Sequence, residues 1–184
     1  MSLVVDDEIT AYALRAADGD KAAAEQFVAT TRGALHRLLT YLSDPGSAED
    51  LVQETYLRAF GSLRGYAGRS PARTWLFAIA RNVAADHLRS RRRRPRSGAA
   101  TVADAAMTTP DHGRLVALHA LIAGLDEERR EAFVLTQVLG LSYAEAAEVC
   151  SCAVGTIRSR VFRARDDLTR AVGDEEEQAA SSTR

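Results

Sequence analysis

The sequence contains few of the residues on which enzymes and metal sites depend. Its two cysteines, Cys150 and Cys152, are too few and too close together for a disulfide framework, and we interpret them as small, largely buried thiols. The histidines show no metal-ligand spacing: His36, His87, His112 and His119. A glycine-rich phosphate loop, a nucleophile elbow and a paired acid motif beside a base are also missing. We therefore expect no catalytic residues, no metal and no cofactor.

Long apolar runs are also missing. No stretch approaches the length of a membrane span, and the first residues, MSLVVDDEIT, lack the basic start and long apolar core of a signal peptide. The sequence thus predicts a cytoplasmic protein without membrane insertion.

Lysine is almost absent, because 23 of the 24 basic residues are arginine and only Lys21 is lysine. The formal net charge is −1, so an argument for nucleic-acid binding has to come from where the charges lie. Nine arginines and one acid, Asp86, occur between Arg69 and Arg96, whereas residues 174–177 form an acidic run. This distribution gives the chain a basic middle and an acidic tail.

Helical periodicity dominates the chain, without a convincing alternating strand, which predicts an all-α fold. Capping-box spacing at Ser47 and Asp50, and again at Ser142 and Glu145, marks two helix starts, and Pro71 marks another. We expect helices over approximately 7–17, 20–42, 47–63, 70–95, 113–123, 126–139, 142–150 and 153–171.

Composition divides these helices into two small helical domains joined by a flexible linker. Residues 96–112 are rich in Ser, Gly, Ala and Thr, which is typical of a linker. The predicted organisation is a domain over 1–95, this linker over 96–112, a second domain over 113–172 and an acidic, disordered tail over 173–184. The tail either binds the basic faces of the protein or only keeps its end soluble, and we favour the second.

The last two predicted helices have the layout of a helix-turn-helix, with a short turn at Ser151 and Cys152. On the second helix an apolar stripe is expected to face the core: Val154, Ile157, Val161, Ala164 and Leu168. The opposite face carries Gly155, Ser159, Phe162 and Arg163, and Arg158, Arg160 and Arg165 lie toward its flanks. An exposed aromatic ring beside arginines suits a DNA groove. The alternative is a solvated basic helix whose Phe162 is covered by a neighbouring helix.

Two earlier helices also carry residues on their outer faces that packing against a core does not require. In the third helix the predicted inner stripe is Val52, Tyr56, Ala59, Phe60 and Leu63, which leaves Asp50, Gln53, Glu54 and Leu57 outside and suggests a protein partner. In the fourth, Leu76, Ile79, Ala80 and Val83 are expected inside, and Arg81, Asn82, Arg89 and Arg92 outside. The outer set is either a second nucleic-acid face or a charged, solvated helix end.

Three segments in this order carry a family resemblance: DLVQETYLRAF, ARTWLFAIARNVAADHLRSRRR and LSYAEAAEVCSCAVGTIRSRVFRARDDL. Over about residues 20–172 the chain resembles the extracytoplasmic-function class of bacterial RNA polymerase sigma factors, in the sigma-70 family. The resemblance implies an alternative sigma factor that binds core RNA polymerase, at its clamp helices and flap region, and promoter DNA. The N-terminal domain would open the minus-ten element and the C-terminal domain would recognise the minus-thirty-five element.

The resemblance also assigns roles to residues. It places core-polymerase binding at Asp50, Gln53, Glu54 and Leu57. Minus-ten contacts are implied for Arg69, Ser70, Arg73, Trp75, Arg81, Asn82, Arg89 and Arg92, with the loop over 66–70 capturing an unstacked base. Minus-thirty-five contacts are implied for Gly155, Thr156, Arg158, Ser159, Phe162 and Arg163. Most relatives are held by an anti-sigma factor, so the resemblance leaves room for one here.

Two other classes of protein compete with this interpretation. A helix-turn-helix regulator that does not act as a polymerase subunit would need a sensory domain, yet residues 1–95 show neither alternating strands and helices nor a phosphoacceptor pocket. An enzyme acting on nucleic acid would need a metal or acid–base constellation, which the sequence lacks. Binding to core polymerase and unaided initiation would distinguish the three classes.

Overall fold

A computed structural model describes the backbone of residues 2–93 and 110–182, and the side chains of residues 6–93 and 116–173. These residues form helices and no strand, which confirms the all-α prediction. The helices are α1 (Ser2–Ala17), α2 (Lys21–Leu42), α3 (Ala48–Ser62), α4 (Ala72–Arg93), α5 (Pro110–Ala123), α6 (Glu127–Phe133), α7 (Tyr143–Cys150) and α8 (Val154–Ser182). Most of the predicted linker, residues 96–109, lies outside the described residues, and its last three residues belong to α5.

The chain divides into two compact units, the first built mainly from α1–α4 and the second mainly from α5–α8. In the first unit, α2 and α4 contribute seven buried residues each to a core shared by all four helices. The fully buried side chains of this core include Phe27, Leu35, Leu38, Leu39, Val52, Leu76 and Phe77. Removing this much apolar surface from water is the main force that holds the four helices together.

The predicted inner faces of α3 and α4 are correct in part. Val52, Tyr56, Ala59 and Leu63 are buried as expected, whereas Phe60 is 40% exposed. The error arises because α3 packs against both α2 and α4, which turns its buried arc toward Leu51 and Thr55. Phe60 lies at the edge of that arc, with its ring centroid 6.2 Å from that of Tyr56. In α4, Phe77 is fully buried and Ile79, predicted inside, is half-buried.

Gly19 and Asp20 form the junction between α1 and α2. Gly19 has a φ of +97°, and its N–H donates to the Ala16 carbonyl at 3.0 Å, which ends α1 in the left-handed conformation that glycine favours. The Asp20 carboxylate accepts from the Ala23 N–H at 3.0 Å and pairs with Arg15 at 2.5 Å. The same residue thus caps α2 and ties it to α1, and the predicted start of α2 is confirmed.

Only one of the two predicted capping boxes forms. The Ser142 N–H donates to Glu145 Oε2 at 2.7 Å, and the Glu145 N–H donates to Ser142 Oγ at 3.2 Å, so this box is confirmed. The prediction at Ser47 is wrong, because its hydroxyl donates to the Asp44 carboxylate at 3.0 Å and makes no cap bond to α3. A 3₁₀ turn over Pro45–Ser47 leads into α3 instead.

The second unit packs α6 and α8 together around a separate core. Ile122, Val134, Leu135, Ile157, Val161 and Ala164 are among its buried side chains. The helix predicted over 126–139 consists of α6 and a π-helical turn at Val134–Val138, where the Leu139 N–H donates to the Val134 carbonyl at 3.0 Å. It ends at Gly140, whose φ is +72°, as the sequence predicted.

Helix α8 departs from the sequence predictions at both ends. Val154, predicted in the core, is 41% exposed because it begins the first turn, ahead of the part of the helix that is buried. The backbone continues as helix to Ser182, whereas a disordered tail was expected from 173. The added segment contains Glu, Gln and Ala and no proline, and such residues favour helix.

Candidate nucleic-acid interface

The turn between α7 and α8 is held by two backbone bonds. The Ser151 N–H donates to the Glu148 carbonyl at 3.1 Å, and the Cys152 N–H donates to the Ala147 carbonyl at 3.0 Å. This pattern requires a left-handed residue, and Ser151 adopts it with a φ of +51° where glycine is usual. The short turn predicted at Ser151 and Cys152 is therefore present and fixes the direction in which α8 leaves α7.

The outer face of α8 has the predicted phase. Phe162 is 74% exposed, and Ile157, Val161 and Ala164 are buried on the opposite side. Five further candidates lie on or beside the exposed face, with Thr156 half-buried: Gly155, Thr156, Arg158, Ser159 and Arg163. The alternative in which a neighbouring helix covers Phe162 does not apply within this unit. An exposed ring among polar groups is a favourable arrangement for contact with base edges.

The four arginines between positions 158 and 165 of α8 form two groups, according to whether their side chains have partners. Arg160 forms an ion pair with Glu128 at 2.5 Å, and Arg165 donates to Gln137 Oε1 at 2.6 Å. Both therefore tie α8 to the helical segment formed by α6 and the π-helical turn. Arg158 and Arg163 are exposed, and neither has an ion-pair partner among the residues whose side chains are described. The sequence placed Arg158, Arg160 and Arg165 alike on the flanks and could not separate these roles.

In the first unit, the loop from Tyr66 to Ser70 is closed across its base. The Tyr66 hydroxyl donates to the Ser70 carbonyl at 2.6 Å, and Gly68 at the tip has a φ of +67°. The Tyr66 ring lies against that of Trp75, with centroids 4.9 Å apart. Burial raises the pKa of the Tyr66 phenol, so the phenol remains a donor at neutral pH. The exposed part of the loop is Ala67, Gly68 and Arg69.

Ion pairs join the outer faces of α3 and α4. Glu54 accepts from Arg58 at 2.7 Å, Arg58 donates to Asp86 at 2.8 Å, and Asp86 pairs with Arg89 at 2.5 Å. We call these four residues the charge chain. The Arg58 hydrogen bond, and after it the Arg89 hydrogen bond, lowers the pKa of Asp86. The charge chain therefore runs from a predicted polymerase contact, Glu54, to a predicted DNA contact, Arg89.

The remaining candidates of the first unit differ in access. Asn82 and Arg92 are exposed, and Ser70, Trp75 and Arg81 are half-buried. The Arg73 side chain is only 16% exposed, with its Nε 3.0 Å from Asp6 Oδ1. Arg73 is thus held in an ion pair with Asp6 of α1 and is largely buried, whereas Arg69 is exposed to solvent.

The outer face of α3 matches its prediction. Asp50 and Gln53 are exposed, Glu54 is half-buried and Leu57 is 70% exposed. Sequence reasoning missed Phe60 as a member of this surface, although its position three residues after Leu57 places the two on neighbouring turns. Together they form an apolar patch beside two acids.

Comparison with known proteins decides between the classes of function. Residues 27–94 match the family model described as Sigma-70 region 2, and residues 115–168 match Sigma-70, region 4. The ECF RNA polymerase sigma factor SigC of Mycobacterium tuberculosis is 52% identical over 167 residues, which cover 89% of this chain and 90% of that protein. The chain belongs to the ECF sigma factors of the sigma-70 family. As such it binds core RNA polymerase and directs promoter recognition.

More distant relatives agree with this assignment. The ECF RNA polymerase sigma-E factor of Haemophilus influenzae is 33% identical, over 87% of this chain and 94% of that protein. The ECF sigma factor fold is shared with CnrH, solved in complex with the cytosolic domain of CnrY (TM-score 0.74, 27% identity, covering 91% and 98% of the two chains). RpoE of Bartonella quintana, solved with the anti-sigma factor NepR, has a TM-score of 0.66 at 31% identity, covering 81% and 96%.

The region 2 match also removes the main competing class. A regulator that is not a polymerase subunit would share the helix-turn-helix of α7 and α8 but not the first unit of this ECF sigma factor. Both matched models describe sigma factor regions. Among the described residues, no helix is long and apolar enough to cross a membrane.

Proposed function

We propose that the exposed face of α3 is the surface with which this sigma factor binds the clamp helices of core polymerase. Its contact residues are Asp50, Gln53, Glu54 and Leu57. The observation that supports this most directly is Leu57, which is 70% exposed beside the acids of a helix whose other side is buried. A large exposed aliphatic side chain with acidic neighbours suits a partner that is both apolar and basic.

We assign contacts with the minus-ten element to the loop over 66–70 and the outer face of α4. Gly68 and Arg69 are exposed at the tip of a loop whose base is closed, which suits capture of one unstacked base. The other proposed contacts are Ser70, Arg73, Trp75, Arg81, Asn82, Arg89 and Arg92. Because Arg73 is paired with Asp6, its part in DNA binding is the least direct of these.

The outer face of α8 is our candidate for contact with the minus-thirty-five element. Arg158 and Arg163 supply guanidinium groups without ion-pair partners in the described part of the second unit, and Phe162 supplies an apolar ring between them. Gly155, Thr156 and Ser159 would complete the surface. The pattern is that of a recognition helix in a major groove.

The domain boundaries implied by these roles are 1–95 for polymerase clamp and minus-ten binding and 113–172 for minus-thirty-five binding, with 96–112 between them. We place the polymerase flap region against the second domain. An anti-sigma partner is a further proposal, supported by the solved complex of RpoE with NepR. The protein would act in the cytoplasm, where polymerase and promoter DNA meet, and without enzymatic activity of its own.

The decisive experiment replaces Asp50, Gln53 and Glu54 together with alanine and measures binding to core RNA polymerase. We expect binding to be lost while helical content, measured by circular dichroism, is unchanged, because these side chains lie outside the core. The matched control replaces three other exposed polar residues of the same unit, Glu25, Gln26 and Arg37, and should bind normally. Unchanged affinity of the α3 variant would overturn the assignment. In a separate experiment, selection of bound sequences from a random promoter library by the wild-type holoenzyme would identify the promoter sequence that it recognises.

A further inference from the structure

Helix α1 contacts the start of α4, shortly after the loop over 66–70 (the minus-ten loop), through one hydroxyl. Thr10 Oγ1 donates to the Asp6 carbonyl at 2.8 Å and accepts from the Ala72 N–H at 3.0 Å. Ala72 is the first residue of α4, and its N–H has no acceptor within its own helix. Thr10 therefore fixes the backbone where the loop over 66–70 leads into α4.

Two more side chains of α1 fix this segment. Asp6 pairs with Arg73, and both side chains are largely withdrawn from water, at 8% and 16% exposed. Leu14 lies beneath the tip of the loop, since a Cβ built at Gly68 would be 3.6 Å from Leu14 Cδ1. Asp6, Thr10 and Leu14 follow one another at intervals of four residues, so they form one stripe along α1.

We propose that α1 positions the minus-ten loop for capture of an unstacked base, with Thr10 as the main positioning residue. The inference rests on the function proposed for the loop. A loop that is already ordered loses less conformational entropy when a base enters it, and the complex is correspondingly tighter. Thr10 is half-buried and bonds to the backbone of Ala72, so it acts through the junction between the loop and α4 and not through contact with DNA.

The test uses holoenzyme reconstituted from core polymerase and the full chain, with a forked promoter probe that is single-stranded across the minus-ten element. In a series of probes, each nucleotide of that strand is replaced in turn by an abasic site. The wild-type holoenzyme identifies the captured base as the position where the abasic site weakens binding most. Thr10→Val keeps the shape of the side chain and removes the hydroxyl. We expect it to bind the intact probe about tenfold more weakly.

At the captured position, Thr10→Val and wild type should bind the abasic probe equally, because no base remains for the loop to hold. Thr10→Ser restores the hydroxyl and should bind the intact probe within about twofold of wild type. Thr30→Val is the matched control: Thr30 also donates to the carbonyl four residues earlier, at 2.6 Å, within the exposed surface of α2. Its affinity for every probe should equal that of wild type.

Two results would overturn the inference. One is equal binding of the intact probe by Thr10→Val and wild type, and the other is an equal loss on the intact and abasic probes, which indicates a purely structural role. If Thr10→Val loses helical content, Leu14→Ala, which changes a partly exposed side chain, must show the same loss specific to the captured base. A wild-type holoenzyme that is insensitive to every abasic site would overturn the proposed loop function, and the inference with it.

Discussion

The two basic surfaces of the molecule differ in how their arginines are occupied. On α4 and its surroundings, Arg89 is paired with Asp86, Arg91 with Asp44 and Arg73 with Asp6. On α8, Arg158 and Arg163 have no such partner among the described side chains. A phosphate that approaches the first surface has to compete with carboxylates already in place, whereas the second surface gains the full interaction. The proposed minus-ten surface therefore gains less free energy from each phosphate contact than the proposed minus-thirty-five surface does.

The largest expected effect on DNA affinity is the difference between Arg163→Ala and Arg89→Ala. Loss of Arg163 should cost about 1–3 kcal/mol of binding to the minus-thirty-five element if the guanidinium makes a paired base contact. Loss of Arg89 should weaken minus-ten binding only about two- to fivefold. In the wild type, Arg89 has to give up its ion pair with Asp86 to bind a phosphate, which offsets part of the free energy that the contact gains. Holoenzyme affinity for promoter fragments, measured by fluorescence anisotropy, gives both values.

Arg170→Ala provides the control on the same helix, since Arg170 is exposed and paired with Asp166 at 2.8 Å. It should leave affinity for the minus-thirty-five element unchanged. If instead Arg163→Ala weakens all sequences alike and reduces the salt slope by about one unit, Arg163 contacts phosphate. Equal losses for Arg163 and Arg89 would remove the distinction between the two surfaces.

A smaller effect is expected from Phe162, the apolar member of the open surface. Phe162→Ala should reduce discrimination within the minus-thirty-five element by about 1 kcal/mol per affected base pair, because the ring no longer packs on base edges. Thermal stability should not change, since Ile157 and Val161 form the core on the opposite side. Melting of the second unit with unchanged sequence preference would show that the ring has a structural and not a recognition role.

The smallest effect concerns the charge chain. Asp86→Asn removes the carboxylate paired with Arg89 and one of the two paired with Arg58, and we expect non-specific DNA binding to become about twofold tighter. Asp166→Asn is the matched control for the change in net charge: it removes one of the two carboxylates paired with Arg170 on α8, leaves Asp167 in place, and should have a weaker effect. A competition assay with unrelated duplex DNA at low salt measures both.

The pH dependence follows from the same pairing. Arg58 and Arg89 lower the pKa of Asp86 in the folded protein. Its contribution to stability is therefore present above the ordinary carboxyl pKa and is lost as the pH falls through the lower folded value. An NMR titration should show Asp86 titrating below a reference exposed aspartate, and Arg58→Ala should move it back toward that reference. An Asp86 pKa unaffected by Arg58→Ala would contradict the pairing.

Sequence periodicity predicted the features that depend on a single helix. The exposed ring of Phe162, the exposed Leu57 and the Ser142–Glu145 capping box all follow from residues a few positions apart. Features that depend on several helices were mispredicted or missed: Phe60 turns out of the core because α3 has two neighbours, and Thr10 caps a helix that begins 62 residues later. The error at Ser47 is local, because its hydroxyl bonds to Asp44 and not to the first turn of α3.

The near-exclusive use of arginine makes the positive charge of both surfaces permanent. A guanidinium group keeps its proton throughout the physiological pH range, and the acetylation that neutralises lysine does not act on it. Lys21, the sole lysine, is the first residue of α2 and lies on neither surface. Acetylation and pH changes within the physiological range therefore leave the charges of Arg158, Arg163 and Arg89 unchanged. Charge-based regulation of these proposed DNA-binding surfaces would then come from competing macromolecules or from the protein's own carboxylates.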